Sequence, residues 1–229
     1  RGEGRKEIAL LYPDGTGYQL LTRNGAISTE PAWGGTPGSL VYTLYRNHRS
    51  ETVWADTRSK RQRRLSRQSG LSAGAAASPD GQLHAVCLSR GGRVDPYLRR
   101  LADGQLTRLT NDRAVEASPA WAPDGRALCY VSDRGGRPQI HYVDLANGRH
   151  RRLLSESFET VSPDWSPDGR HVCMAVRRGG RYRIGIVEVK GGRPGTLELV
   201  TDAKFDWESP AWGPDGRHLV CTRERGTSR

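Results

Sequence analysis

The chain has 229 residues, a net charge of +11 and an apolar content of 35%. This length suits one large domain or two small ones, and no run approaches the ~20 consecutive apolar residues of a membrane-spanning helix. The mean hydropathy is low for a globular protein, but the apolar residues fall in short regular runs, which argues against long disorder. The composition therefore indicates a polar, folded protein without a membrane span.

A short phrase recurs along the chain and sets the period of its elements. The phrase reads Ser-Pro-Ala-Trp-Ala-Pro-Asp-Gly-Arg over 118–126 and returns over 162–170 and 209–217, with weaker copies over 30–38 and 76–81. The tryptophan position, which is alanine in the second copy, falls at residues 33, 77, 121, 165 and 212, in steps of 44, 44, 44 and 47. A constant spacing in the mid-forties predicts an array of one supersecondary unit.

Each unit is predicted to contain four short strands joined by tight turns. In the third unit, strands are expected over 117–122, 127–132, 139–144 and about 151–154. The first turn is Pro-Asp-Gly, in which proline presets φ and glycine accepts a positive φ. No ten-residue segment shows the apolar period of a helix without a glycine or proline break. The predicted fold class is therefore all-β, with four-stranded antiparallel sheets.

The two ends of the chain predict how the array is completed. Residues 4–22 read as strands three and four of a unit without its first two strands, and residues 217–222 read as strand two of a unit that stops soon after. Joining them gives one more sheet and leaves no open edge strand. We therefore predict a single five-bladed β-propeller domain over 1–229, in which the N-terminal strands complete the C-terminal blade. The predicted blades cover about 31–74, 75–116, 117–160, 161–207, and 208–229 together with 1–30.

The recurring phrase resembles the repeat of TolB-type β-propellers, which are distantly similar to WD-repeat propellers. The segment Ser-Asp-Arg-Gly-Gly over 132–136, the strand over 140–144 and the Arg-Leu-Thr of 108–110 strengthen this resemblance, which covers nearly the whole chain. It implies a rigid, non-catalytic binding scaffold, periplasmic or otherwise extracytoplasmic in bacteria. Such a scaffold docks a protein or peptide at the mouth of a central channel and needs no cofactor, and we expect a monomer. TolB-type proteins look six-bladed with an added N-terminal domain, and in these respects the chain departs from the family.

The loops that precede the predicted inner strands are the expected binding site, because they vary while the strands repeat. They are rich in carboxylates, which suits a basic peptide or a cation. The residues predicted to bind the partner are Glu30, Asp112, Glu116, Glu159, Asp164, Asp206, Trp207 and Glu208. Asp164 stands where sister repeats have alanine, so we expect it to pair with an arginine or to line the channel and bind a ligand. Trp207 lies off the register of the repeated tryptophans, which are expected to pack between blades.

Two other functions remain open from the sequence. One is a metal ion or a small polar ligand held in the channel by Asp164 and the loop carboxylates, as in an enzyme-associated propeller. The other is polyanion binding through a basic surface. That surface comprises Arg58, Lys60, Arg61, Arg63, Arg64 and Arg67. Nucleic acid is not an expected partner, because no aromatic stacking platform is interleaved with the arginines.

The cysteines and one hydrolase-like motif are predicted to be structural. One cysteine occurs per unit, at 87, 129, 173 and 221. Equivalent positions of neighbouring units lie too far apart for the ~5.5 Å Cα separation of a disulfide, so small buried strand residues are expected. The Gly-Leu-Ser-Ala-Gly of 70–74 matches the pattern of serine hydrolases, but that nucleophile needs a strand, a sharp turn and a helix. We therefore expect no enzymatic activity.

Overall fold

The chain folds into β-strands. The structure is a computed structural model and describes residues 6–12, 14–47, 49–65, 72–90 and 92–224. Within these ranges there is no helix, so the all-β prediction is confirmed. The same ranges accordingly offer no helical segment of the length and apolar character needed to cross a membrane.

The described residues form twenty strands. They are β1 (Ala9–Leu10), β2 (Gln19–Leu20), β3 (Ile27–Trp33), β4 (Ser39–Arg46), β5 (Arg49–Asp56), β6 (Gln62–Arg64), β7 (Ser72–Ala77), β8 (Leu83–Arg90), β9 (Arg93–Arg100), β10 (Leu106–Arg108), β11 (Glu116–Trp121), β12 (Ala127–Ser132), β13 (Gln139–Asp144), β14 (Arg149–Arg152), β15 (Glu159–Trp165), β16 (His171–Arg178), β17 (Arg181–Lys190), β18 (Arg193–Leu199), β19 (Asp206–Trp212) and β20 (Leu219–Glu224).

The strands are grouped into two compact units, residues 1–111 and 112–229. The N-terminal unit contains the sheets β1-β2, β3-β4-β5-β6 and β7-β8-β9-β10, and the C-terminal unit contains β11-β12-β13-β14, β15-β16-β17-β18 and β19-β20. Strands that pair are antiparallel and consecutive in the chain, as in a meander of hairpins. The repeated four-stranded sheet is thus confirmed. Among the described residues, β1-β2 and β19-β20 are separate two-stranded sheets, so the composite blade does not appear there as one sheet.

One β-bulge recurs on the first strand of the sheets. In β11, Ala117 pairs with Val131 and Ala120 pairs with Cys129 of β12. Two residues of β11 therefore lie opposite one residue of β12, and the first strand carries one extra residue. The bulged residue adopts a positive φ, which is 50° at Ser118. Its counterparts with positive φ are Glu30, Gly74, Ser162 and Ser209. The strands continue through this bulge and therefore begin earlier than the phrase predicts.

Apolar clusters fill the spaces between neighbouring sheets within each unit. In the C-terminal unit, Cys129 and Met174 are fully buried in a cluster that also contains Trp165. Cys87 and Cys173 are buried as well, and Cys221 is half-buried, so the prediction of buried strand cysteines is confirmed for three of the four. The tryptophan prediction is confirmed only in part. Trp121 and Trp165 are buried, Trp212 is half-buried, and Trp33 is 68% exposed.

The turn after Trp33 differs in sequence because of a close approach between two turns. Gly35 stands where the third unit has Pro123, and a Cβ on Gly35 would lie 2.2 Å from the backbone nitrogen of Gly81. At the corresponding place between the third and fourth units, a Cβ on Gly169 would lie 3.6 Å from Pro123. The chain therefore needs a residue without a side chain at position 35, where backbone meets backbone.

Candidate partner-binding edge

One edge of the C-terminal unit gathers carboxylates, arginines and aromatic rings. It is the edge at which β11, β15 and β19 begin. We call this surface the loop edge, and it comprises 112–117, 132–138, 155–160, 177–183 and 202–208 together with Arg223. Several residues predicted to lie in loops are in fact in strands, and these are Glu30, Glu116, Glu159, Asp206, Trp207 and Glu208. The loop assignment was wrong for them because the strands extend through the bulge.

Arg134 neutralises two of the predicted carboxylates. Glu116 is fully buried, and its Oε1 lies 2.5 Å from Nη2 of Arg134. The same nitrogen lies 3.1 Å from Oδ2 of Asp112 and donates to the hydroxyl of Tyr130 at 2.9 Å. Burial raises the pKa of Tyr130 above its usual value, so this hydroxyl stays protonated. Glu116 and Asp112 are therefore engaged inside the unit.

The β16–β17 hairpin neutralises two more carboxylates. The hydroxyl of Tyr182 donates to Oε1 of Glu159, and Nη1 of Arg177 lies 3.2 Å from its Oε2. The hydrogen bond from Tyr182 is the main cause of a lowered pKa at Glu159. Asp206 accepts the backbone N–H of Tyr182 at 2.9 Å and lies 3.3 Å from Nη1 of Arg181. The acidic surface expected from the sequence is thus compensated by arginines of this unit.

An aromatic and arginine cluster follows at the start of β19. The rings of Phe205 and Trp207 meet edge to face with centroids 6.2 Å apart. The guanidinium of Arg223 lies 4.8 Å from the Phe205 centroid and 5.8 Å from the Trp207 centroid, within the range of cation–π attraction. Both rings are half-buried. Beside them, the side chain of Glu208 forms no hydrogen bond or ion pair within the described part of the chain. We call Phe205, Trp207 and Arg223 the aromatic cluster.

Asp164 and Glu30 each bond the backbone of the next repeat. Oδ2 of Asp164 accepts the N–H of Trp212 at 2.7 Å, and burial raises the pKa of this carboxyl. Oε2 of Glu30 accepts the N–H of Gly74 at 2.8 Å and the hydroxyl of Thr43 at 3.2 Å. Asp164 therefore has a backbone amide as its partner, where the sequence predicted an arginine or a ligand. No group of three or more His, Cys, Asp or Glu side chains within the described residues is arranged to hold a metal ion.

The family model of the TolB beta propeller domain matches residues 2–229 of the chain. The chain belongs to the TolB β-propeller family. Its sequence is 34% identical over 108 residues to the Tol-Pal system protein TolB of Dinoroseobacter shibae, an alignment that covers 46% of this chain and 24% of that protein. The alignment with this family member therefore covers only 24% of the length of that relative.

Solved structures resemble this TolB-family fold over most of its length. TolB from Acinetobacter baumannii superposes with a TM-score of 0.84 at 26% identity, over 93% of this chain and 53% of that one. A puromycin-hydrolysing peptidase of Mycobacterium tuberculosis superposes with a TM-score of 0.66 at 15% identity, over 92% of this chain and 37% of that one. The second likeness shows the fold alone, so propellers of this shape also occur within enzymes.

The basic stretch of this TolB-family chain is a turn followed by the short strand β6. Arg58, Lys60, Arg61 and Arg63 are exposed. The exposed side chain of Arg64 is paired instead, because its Nε lies 2.5 Å from Oε2 of Glu51. Arg67 lies outside the described residues. The hydrolase-like motif lies partly outside them as well, and its serine begins strand β7 rather than a turn that leads into a helix.

Sequence reasoning found the carboxylates of the loop edge but missed Arg177, Arg181, Tyr182, Phe205 and Arg223. The signal available for the first three was the arginine-rich hairpin over 177–183. The end of this hairpin lies beside the start of β15 in the same sheet and beside the start of β19 in the neighbouring sheet, so its arginines pair with Glu159 and Asp206. The repeat alone did not give the contacts of Tyr182 with Glu159 and of Arg181 with Asp206, because these partners come from strands that are not adjacent in sequence.

Proposed function

We propose that this TolB-family chain is a non-catalytic scaffold that docks a protein or peptide partner on the loop edge. The aromatic cluster is the observation that carries the proposal. Tryptophan and arginine are among the residues that dominate the energetics of protein interfaces, and here Trp207 and Arg223 lie together with Phe205 at the start of β19 and the end of β20. A site on regular strands is preformed, so a partner binds with little ordering of the scaffold.

The charges of the loop edge define what such a partner offers. Glu116 is buried, and Glu159 and Asp206 at the surface are already paired with arginines, so these three carboxylates offer no free negative charge to a partner. Glu208 has no partner among the described residues and suits a basic or hydroxyl group. Arg223, which stacks on the rings, suits a carboxylate or a backbone carbonyl. The name of the Dinoroseobacter relative places that protein in the Tol-Pal system, and we propose a comparable multi-protein role here.

Replacing Trp207 or Arg223 with alanine should weaken partner binding by about 2 kcal/mol, or roughly 30-fold in Kd. The immobilised chain is exposed to a bacterial envelope extract, and a retained protein is identified, purified and titrated against each variant. Arg217→Ala is the matched control, because Arg217 is an exposed arginine in the turn between β19 and β20. Equal affinity of all three variants would show that the partner binds elsewhere.

We also propose the five-bladed closed ring as a single domain, with β1 and β2 completing the sheet of β19 and β20. Two exposed residues support this closure. Trp33 is 68% exposed, whereas its counterpart Trp165 is 7% exposed, and Val220 in β20 is 68% exposed. Closure would supply a neighbouring sheet for Trp33 and a strand partner for the free side of β20.

Hydrogen exchange of the backbone amides tests the ring. In a closed ring, every amide of β20 should be protected, and a chain that begins at residue 23 should lose protection at alternate amides of β20. The amides of β16, which pairs on both sides within its own sheet, serve as the internal reference. Fast exchange at alternate β20 amides in the full chain would contradict closure.

Family resemblance further supports an extracytoplasmic location in a bacterium and a monomeric scaffold. Fractionation of the host cell and the hydrodynamic mass of the purified chain check these two points. Recovery in the cytoplasmic fraction, or a mass of two chains, would contradict them.

A further inference from the structure

Arg63, His84 and Arg99 lie at the junction between the sheets β3–β6 and β7–β10, and we call them the basic group. The other repeats lack this combination of residues. Both sheets belong to the N-terminal unit, and Val41, Val86 and Tyr97 share the apolar cluster between them. His84 is paired across the sheet with Arg99, and by strand alternation these residues lie on the same face as Val86 and Tyr97. Arg63 is paired with Trp54 on the opposing sheet, and Trp54 packs against the same apolar cluster, so Arg63 lies at this junction. Its charge accordingly lowers the pKa values of both His84 and Arg99.

Comparison of the repeats shows how unusual this pair is. The cross-strand pairs at the same place in the other complete sheets are apolar throughout. They are Leu40 with Ala55, Leu128 with Val143, and Val172 with Val187. The second repeat alone has a histidine and an arginine at these positions. Packing of the array therefore does not require a polar pair here.

The basic group is not compensated within the described structure. The side chains of Arg63 and Arg99 form no ion pair or hydrogen bond with another described residue. Their neighbours in sequence do have partners, since Arg64 pairs with Glu51 at 2.5 Å and Arg100 pairs with Asp103 at 3.2 Å. Burial, followed by the charge of Arg63, lowers the pKa of Arg99, which is the effect of a cation without a nearby carboxylate.

His84 adds a second, independent sign of a missing partner. Its side chain is only 1% exposed, and its Nδ1 is buried without a hydrogen bond. Burial lowers the pKa of His84 to about 4, so the ring is neutral at physiological pH. Buried polar atoms are normally satisfied. The unsatisfied ring nitrogen and the two uncompensated guanidinium groups together offer positive charge and hydrogen-bond donors to an anion.

We propose that Arg63, Arg99 and His84 form a binding site for a phosphate group at this junction. Two adjacent guanidinium groups repel each other, and a phosphate placed between them would neutralise both through charge-assisted hydrogen bonds. Trp54, which is half-buried beside Arg63, supplies an apolar wall. The exposed Arg63 lies on the solvent side, so the site is open to a free phosphate or to the phosphate of a larger ligand. It lies in the other unit from the loop edge and does not depend on the proposed docking function.

Thermal unfolding and calorimetric titration of the full chain with inorganic phosphate test the site, at an ionic strength held constant with chloride. The calorimetric titration should saturate, the melting temperature should rise with phosphate concentration, and Arg63→Ala should weaken phosphate binding about tenfold or more. The double variant His84→Leu with Arg99→Val restores the apolar pair of the third repeat. It should fold and lose the phosphate response. Arg64→Ala is the matched control, because it removes an adjacent arginine that already has a carboxylate partner, and it should keep the response.

Three results would overturn the proposal. The first is a calorimetric titration of the unaltered chain with phosphate that does not saturate. The second is phosphate binding by the double variant that is as tight as that of the unaltered chain. The third is binding of acetate that is as tight as binding of phosphate. Phenyl phosphate distinguishes the sources of the group. Tighter binding than that of inorganic phosphate assigns the site to a phosphate monoester, and weaker or equal binding assigns it to free phosphate.

Discussion

Replacing Arg134 with alanine is expected to lower the free energy of unfolding by about 3–5 kcal/mol, the usual cost of breaking a buried ion pair by removing one partner. Glu116 is fully buried, and Nη2 of Arg134 lies 2.5 Å from its Oε1. Without the guanidinium, that carboxylate stays buried without its cation, and the hydroxyl of Tyr130 loses a donor. For a chain of this size the melting temperature should fall by about 10 °C.

A double-mutant cycle separates the ion pair from the lost packing of the arginine. Glu116→Gln removes the buried charge, so the double variant should recover much of the stability that Arg134→Ala loses. Arg100→Ala is the control, because the Arg100–Asp103 pair is exposed on both sides and should contribute below about 1 kcal/mol. Additive effects of the two loop-edge substitutions would argue against coupling between Arg134 and Glu116.

Replacing Gly35 with alanine should cost about 3 kcal/mol through overpacking. The added Cβ would lie 2.2 Å from the nitrogen of Gly81 and 2.3 Å from the carbonyl oxygen of Ser78. Both are backbone atoms of the turn between β7 and β8, so no side chain can rotate out of the way. The two turns would have to separate, which would also disturb the apolar cluster between the sheets β3–β6 and β7–β10.

Gly195→Ala is the matched control for Gly35→Ala. A Cβ on Gly195 would meet its nearest atoms at 3.5 to 3.9 Å, which is ordinary van der Waals contact, and its backbone is not left-handed. Denaturant unfolding of both variants is the measurement. Equal stabilities would mean that the turn over 34–38 can move without loss, and that its altered sequence has another cause.

Much of the local fold follows from the sequence, as the third repeat shows. Its second and third strands have the predicted bounds, because Pro-Asp-Gly and Asp-Arg-Gly-Gly mark the turns on either side. Its first strand was predicted over 117–122 and lies at Glu116–Trp121, but the bulge within it was not predicted, because the residue with a positive φ is Ser118 rather than a glycine.

The candidate site was less predictable, since it depends on contacts between distant parts of the chain. The difference between Asp164 and the alanines of sister repeats correctly marked an unusual residue. Its partner could not be predicted, because a backbone amide leaves no trace in the sequence. The carboxylates of the loop edge were identified by type, but their neutralisation depends on arginines that the fold brings across the sheet. His84 and Arg99 were missed, although comparison of the repeats could have found them.

The bonds from Glu30 to the amide of Gly74 and from Asp164 to the amide of Trp212 make the repeats non-interchangeable. A repeat protein is usually treated as a row of equivalent modules with similar nearest-neighbour energies. Here, two of the interfaces between repeats have a side-chain hydrogen bond of their own. It comes once from the bulged residue and once from the second residue after it. A chain assembled from identical copies of the third repeat has Ser118 and Ala120 at these positions. It would keep its strands and lose both hydrogen bonds. The order of the repeats is therefore part of the information that specifies this fold.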